Sequence, residues 1–108
     1  MGELRVLESS RLGVVAPTTD TIAATSLGNA DYFRNTGSEV MYLKHASGSA
    51  TAYANIIRRI DGDLPTPKSV AVVNTERRVF GPFPVEDYGD RVDVWASGSG
   101  VQYYIVRI

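Results

Sequence analysis

The sequence predicts a small all-β domain: an antiparallel β-sandwich or barrel-like fold preceded by an extended N-terminal arm. Three observations lead there. Short runs dense in Val, Ile and Tyr recur along the chain and are punctuated by Gly, Pro, Asn and Asp, the pattern of strands separated by turns. The two stretches long enough for a helix fail on composition, because 18–30 is rich in Thr, Gly and Asn and 46–54 in Ser, Gly and Ala. A chain of 108 residues without cysteine has room for one core, held by packing or by neighbouring subunits, since roughly 60 to 68% of the unfolded surface is buried at this size.

Taken in order, residues 1–17 stand apart. Leu4, Val6, Leu12, Val14 and Val15 are apolar but interrupted by Glu8-Ser9-Ser10-Arg11 and closed by Ala16-Pro17. Two readings fit: edge strands of the same domain, or an arm that adds a strand to a neighbour. Early acids and the lack of a continuous apolar run argue against a signal peptide. The domain proper is expected over 18–108. Six strands are expected there, over 39–45, 52–60, 70–74, 77–80, 91–96 and 101–108, spaced so that hairpins should dominate.

The joints carry their own signals. Asp61-Gly62-Asp63-Leu64-Pro65-Thr66-Pro67 joins a turn dipeptide to two prolines that cannot donate to a ladder, so the chain should leave the sheet there. Gly81-Pro82-Phe83-Pro84 forces an extended segment that should cross an end of the sandwich as a structural corner, with Phe83 buried. Ser97-Gly98-Ser99-Gly100 reads as a hairpin turn, which would pair the last two strands antiparallel. The final strand is apolar on both parities, with Val101, Tyr103 and Ile105 on one face and Tyr104, Val106 and Ile108 on the other. Such a strand wants cover on both sides, and a second subunit or a partner supplies it most easily.

The chemistry of catalysis is sparse in this sequence. Cysteine is absent and His45 is the single histidine, so Cys-based zinc sites, thiol nucleophiles and His clusters are excluded. Asp61 and Asp63 lack the rest of a calcium loop, and Glu86-Asp87 with Asp90 has no spacing that marks a pair of catalytic acids. No catalytic residue, cofactor or metal is therefore expected. Eleven Lys or Arg against twelve Asp or Glu leave a formal net charge of -1, which disfavours direct nucleic-acid binding. No apolar run approaches the ~20 residues that span a bilayer.

Arg58-Arg59 and Arg77-Arg78 each place one guanidinium on either face of a strand, which suits bidentate pairing with carboxylates across a protein interface. Trp95 has the opposite parity to Val92, Val94 and Ala96. If those three face the core, Trp95 lies outside, as a ligand platform or an interface anchor; if both faces are covered, it is core.

The order of motifs resembles a family of small virion proteins of tailed bacteriophages. Tyr32-Phe33-Arg34-Asn35-Thr36-Gly37 leads into Val40-Met41-Tyr42-Leu43-Lys44-His45, then a Ser/Thr/Ala-rich strand, then Val79-Phe80-Gly81-Pro82-Phe83-Pro84, Tyr88 and a closing Val/Tyr/Ile strand. The likeness covers about residues 30 to 108, and its sharpest element is Gly81-Pro82-Phe83-Pro84 followed by Tyr88. It implies a β-sandwich that works as a capsid decoration, or cement, protein on the outer surface of the head. Its partners would be the major capsid protein and further copies of itself. Leu4, Val6, Leu12, Val14, Val15 and Trp95 are the candidate contacts. A head-tail joining or tail-completion protein, and a carbohydrate-binding adhesion module, are the alternatives.

Overall fold

The computed structural model describes residues 2–4, 6–8, 21–45, 48–57, 62, 67–73, 77–98 and 100–107. It is an all-β domain of two four-stranded sheets. The strands are β1 (Val6–Glu8), β2 (Asp31–Arg34), β3 (Glu39–His45), β4 (Ala50–Ala54), β5 (Lys68–Val72), β6 (Arg77–Phe80), β7 (Arg91–Ala96) and β8 (Val101–Arg107). Among the described residues, helix is limited to a 3-10 turn at Leu27–Asn29 and the single turn α1 (Val85–Tyr88). One sheet has the order β1-β8-β3-β6 and the other β2-β7-β4-β5.

Every strand-to-strand connection except β4 to β5 passes from one sheet to the other. This is the strand order of a jelly roll, the double Greek key that closes two sheets over one core. One departure is clear. β1 runs parallel to β8, whereas the other pairs of named strands are antiparallel. The predominance of hairpins expected from the short spacings is thus overturned, because β4 and β5 are the only consecutive strands that pair among the described residues.

Alternation explains the core. On β7, Val92, Val94 and Ala96 are buried while Arg91, Asp93 and Trp95 are not. On the facing sheet, Met41 and Leu43 of β3 lie opposite Ile105 and Tyr103 of β8, and all four are buried. Ala52, Ala54 and Ala96 line one wall and Met41, Leu43, Phe80 and Ile105 the other. Small side chains facing large ones let the two sheets approach at native packing density.

The expected hairpin between β7 and β8 does not form. The two strands lie in different sheets, so the chain passes from one layer to the other between Ala96 and Val101. The reason lies in backbone partners and in one tight approach. Ala96 N–H donates to Ala24 O, Ser97 N–H donates to Thr51 O, and Ile22 N–H donates to Val101 O, which commits the two ends of the link to different neighbours. Gly100 has φ of 92°, and a Cβ there would lie 2.8 Å from the His45 ring. The glycine therefore serves a close passage over His45 instead of a two-strand turn.

Candidate interaction surface

The Gly81-Pro82-Phe83-Pro84 segment meets Phe33, Asn35 and Tyr88 at one corner. Phe83, fully buried, packs edge-on against Phe33 at 5.4 Å and Tyr88 at 5.1 Å, with Phe80 at 5.2 Å. Asn35 is buried beside them, and its amide donates to Phe83 O at 2.8 Å and Gly89 O at 2.9 Å while its own Oδ1 accepts from Gly37 N–H at 3.0 Å. Gly81, at φ of 118°, is the point of closest approach, where a Cβ would meet the Phe83 ring at 2.8 Å and Glu39 O at 3.1 Å. Pro82 and Pro84 flank Phe83 on the exposed side, and Pro84 O begins α1 by accepting from Tyr88 N–H. Burial, with Asp87 beside it, pushes the Tyr88 hydroxyl above its ordinary range. These side chains hold β2, β6 and β7 in place, and the Asn35 amide is spent on backbone groups of Phe83, Gly89 and Gly37.

Other buried polar groups hold the scaffold in the same way. The Asp31 carboxylate accepts from the backbone of Gly2, Ala23 and Ala24 at 3.1 to 3.2 Å, tying the N-terminal segment and the stretch before the 3-10 turn to β2. Glu39 is fully buried. Burial would raise its carboxyl, but Arg107 at 2.5 Å, together with the Thr36 N–H and hydroxyl, outweighs that and holds it below the usual carboxylate range. His45 is buried between Gly48 and Gly100, and its Nδ1 accepts from Gly48 N–H at 2.8 Å. The lone histidine is thus part of the corner that carries β7 into β8. No signal in the sequence marked Asp31 or Glu39 as buried anchors, because their partners lie up to 68 positions away.

The outward face of β2-β7-β4-β5 is different in character. Trp95 and Tyr53 sit opposite each other on β7 and β4 and stack at 5.3 Å with 13° between the rings. Both are half-buried. Next to them the Arg91 guanidinium lies 4.0 Å over the Tyr32 ring, and its Nε donates to Asp93 at 2.9 Å. Ser69 and Ala71 of β5, opposite Tyr53 and Thr51, keep the flank beside Tyr53 low. Rigid aromatics with few rotatable bonds, set beside an arginine already oriented by a carboxylate, lose little entropy when another surface covers them.

The N-terminal candidates divide. Leu4 is buried in the core of its own chain, with its N–H donating to Tyr32 O, and Val6 on β1 packs half-buried against the same core. Leu12, Val14 and Val15 lie outside the described residues, as do Arg58, Arg59, Asp61 and Asp63. Leu4 and Val6 meet Glu3, Arg34 and Arg107 around an open groove of about 440 Å³. Among the described residues, no group of three or more His, Asp or Glu side chains is placed to hold a metal ion, and no helix is long and apolar enough to cross a membrane. No family model, curated protein or solved structure matches this chain.

Proposed function

We propose that this chain is a non-enzymatic structural protein of a phage virion that binds the outer surface of the capsid shell and stabilises it. The observation that carries the reading is the outward aromatic face of β2-β7-β4-β5, with Trp95 stacked on Tyr53 and Arg91 held over Tyr32. Aromatic and arginine side chains of this kind dominate the energetics of protein interfaces. The residues of the motif are engaged in a corner that stiffens the sheet presenting this face, which suits a scaffold whose work is contact. Many copies on a symmetric shell would add modest contacts into stable attachment.

The test is the amount of this chain in purified particles relative to the major capsid protein. Copies in the hundreds, reduced when Trp95→Ala and Tyr53→Ala are combined, support a decoration role. A few copies per particle would move the protein to the head-tail junction, and absence from particles would overturn the reading. A glycan-binding role is favoured by one observation, the half-buried Tyr53–Trp95 stack bordered by the Asp93 carboxylate on the same face. Binding on a glycan array that disappears with Trp95→Ala would select it instead.

A further inference from the structure

We propose that the outward face of the β1-β8-β3-β6 sheet is covered by a second copy of this chain, turned end for end, in a two-fold dimer held by patches of opposite charge. This surface lies on the other side of the sandwich from Trp95 and Tyr53, and the proposal does not depend on the capsid reading. The first patch is apolar and basic. On that face the rings of Tyr42 and Tyr104 stack at 4.7 Å, and Val79, directly opposite Tyr42, is 58% exposed. In the next row Lys44 and Arg77 lie directly opposite each other, both exposed. Like charges in that position are destabilising, and among the described residues neither side chain holds a carboxylate. In the row on the other side of Tyr42, Val40 and Val106 are already buried, so the open apolar surface centres on Val79.

The second patch is apolar and acidic. It surrounds α1, where Val85 is 44% exposed and Pro82, Pro84, Glu86 and Asp90 are exposed in the same turn of chain. The two patches sit at opposite ends of the sheet. Gly81 lies against the Glu39 carbonyl at the start of β3, whereas Lys44 is about 17 Å further along that strand. β6 follows the same axis in reverse, from Arg77 beside Lys44 down to the corner. A copy turned end for end over Val79 therefore sets its Glu86 and Asp90 against Lys44 and Arg77 and receives the same pairing in return. The rows of Val79, Tyr42 and Tyr104 from both chains are buried between them, an aromatic and apolar centre with charges at its rim. Copies laid in the same direction would instead bring the two cation rows together. A net charge of -1 leaves little overall repulsion to oppose a second copy, and a two-fold contact closes at two chains.

The test is sedimentation of the purified full chain from micromolar to millimolar concentration, at low and high salt, with amide chemical shifts followed on dilution. Two charge-reversed variants are compared, Lys44→Glu with Arg77→Glu, and Glu86→Arg with Asp90→Arg, and circular dichroism checks that each folds. The expected result is a dimer at low salt, dilution shifts at residues 77–79 and 82–90, and a Kd raised about tenfold or more by added salt and in each variant alone. Mixing the two variants should restore the dimer, since each then carries the charge that the other lacks. Two damaged chains would not do so. The proposal is overturned by a monomer at millimolar concentration, assembly beyond a dimer, a dimer indifferent to both reversals, dilution shifts confined to another surface, or folded variants that stay monomeric when mixed. The salt and dilution measurements on the unaltered chain need no variant to fold. No particles enter the experiment, so its failure leaves the copy-number test of the capsid reading standing.

Discussion

Phe83 touches three aromatic rings at 5.1 to 5.4 Å and exposes none of its surface, so its contribution is wholly to packing. Phe83→Ala should cost about 3 to 5 kcal/mol in urea unfolding, the usual range for an emptied aromatic site. Trp95→Ala, which removes a half-exposed stacking partner, should cost about 0.5 to 1.5 kcal/mol and leave the fold intact. Glu39 makes a prediction about pH. Its folded carboxyl titrates below the ordinary value of 4.5, so the stability it supplies is fully present above that value and is lost as pH falls through the lower, folded one. Glu39→Gln should flatten that acid limb of a thermal-denaturation profile and cost about 1 to 3 kcal/mol at neutral pH, since charge-assisted bonds to Arg107 and Thr36 go with it. The burial of Phe83 is a reading local chemistry allows, because prolines on both sides leave few conformations. The setting of Glu39 is not, because Arg107 is far along the chain.

At the scale of elements, corners decide which sheet each strand joins. Gly81→Ala brings a Cβ to 2.8 Å from the Phe83 ring at a φ of 118°, a combination of contact and left-handed backbone strain that should cost about 1 to 3 kcal/mol. The corresponding drop in melting temperature, about 4 to 8 °C per kcal/mol for a domain of this size, is readily measured by circular dichroism. The boundaries of β3, β6 and β7 were legible, since Glu39–His45, Arg77–Phe80 and Arg91–Ala96 lie between turn residues in the sequence, and β7 also alternates between buried and less buried side chains. β2 was not, because Asp31-Tyr32-Phe33-Arg34 holds no β-branched residue and is bounded by charges at both ends. The link from β7 to β8 reads as a hairpin by composition, yet the two strands lie in different sheets, because glycine answers equally to a primed turn and to the close passage of Gly100 over His45.

For the whole molecule, the N-terminal segment is where folding and attachment must be separated. Leu4 lies in the core, Glu3 bridges β2 and β1 covers the flank of β8. Leu4→Ala should therefore cost about 2 to 5 kcal/mol. Deletion of residues 1–17 should lower the melting temperature strongly. Normal stability after deletion would remove the segment from the core, and lost particle occupancy at normal stability would assign it to a partner.

The sequence by itself determined the all-β class, the parity of the core strands and the corner at Gly81-Pro82-Phe83-Pro84. Each follows from chemistry local to the chain: side-chain alternation at period two, the missing proline donors, and the depletion of helix formers. Tertiary structure alone decided which strands became neighbours, that β1 runs parallel to β8, and that β7 and β8 separate into different sheets. The physical reason is that alternation specifies the face a side chain turns to the core and says nothing about the strand beside it. That choice belongs to groups distant in sequence that must be satisfied together: the Asp31 carboxylate with Gly2, Ala23 and Ala24, the Asn35 amide with Phe83 and Gly89, and the Glu39 carboxylate with Arg107.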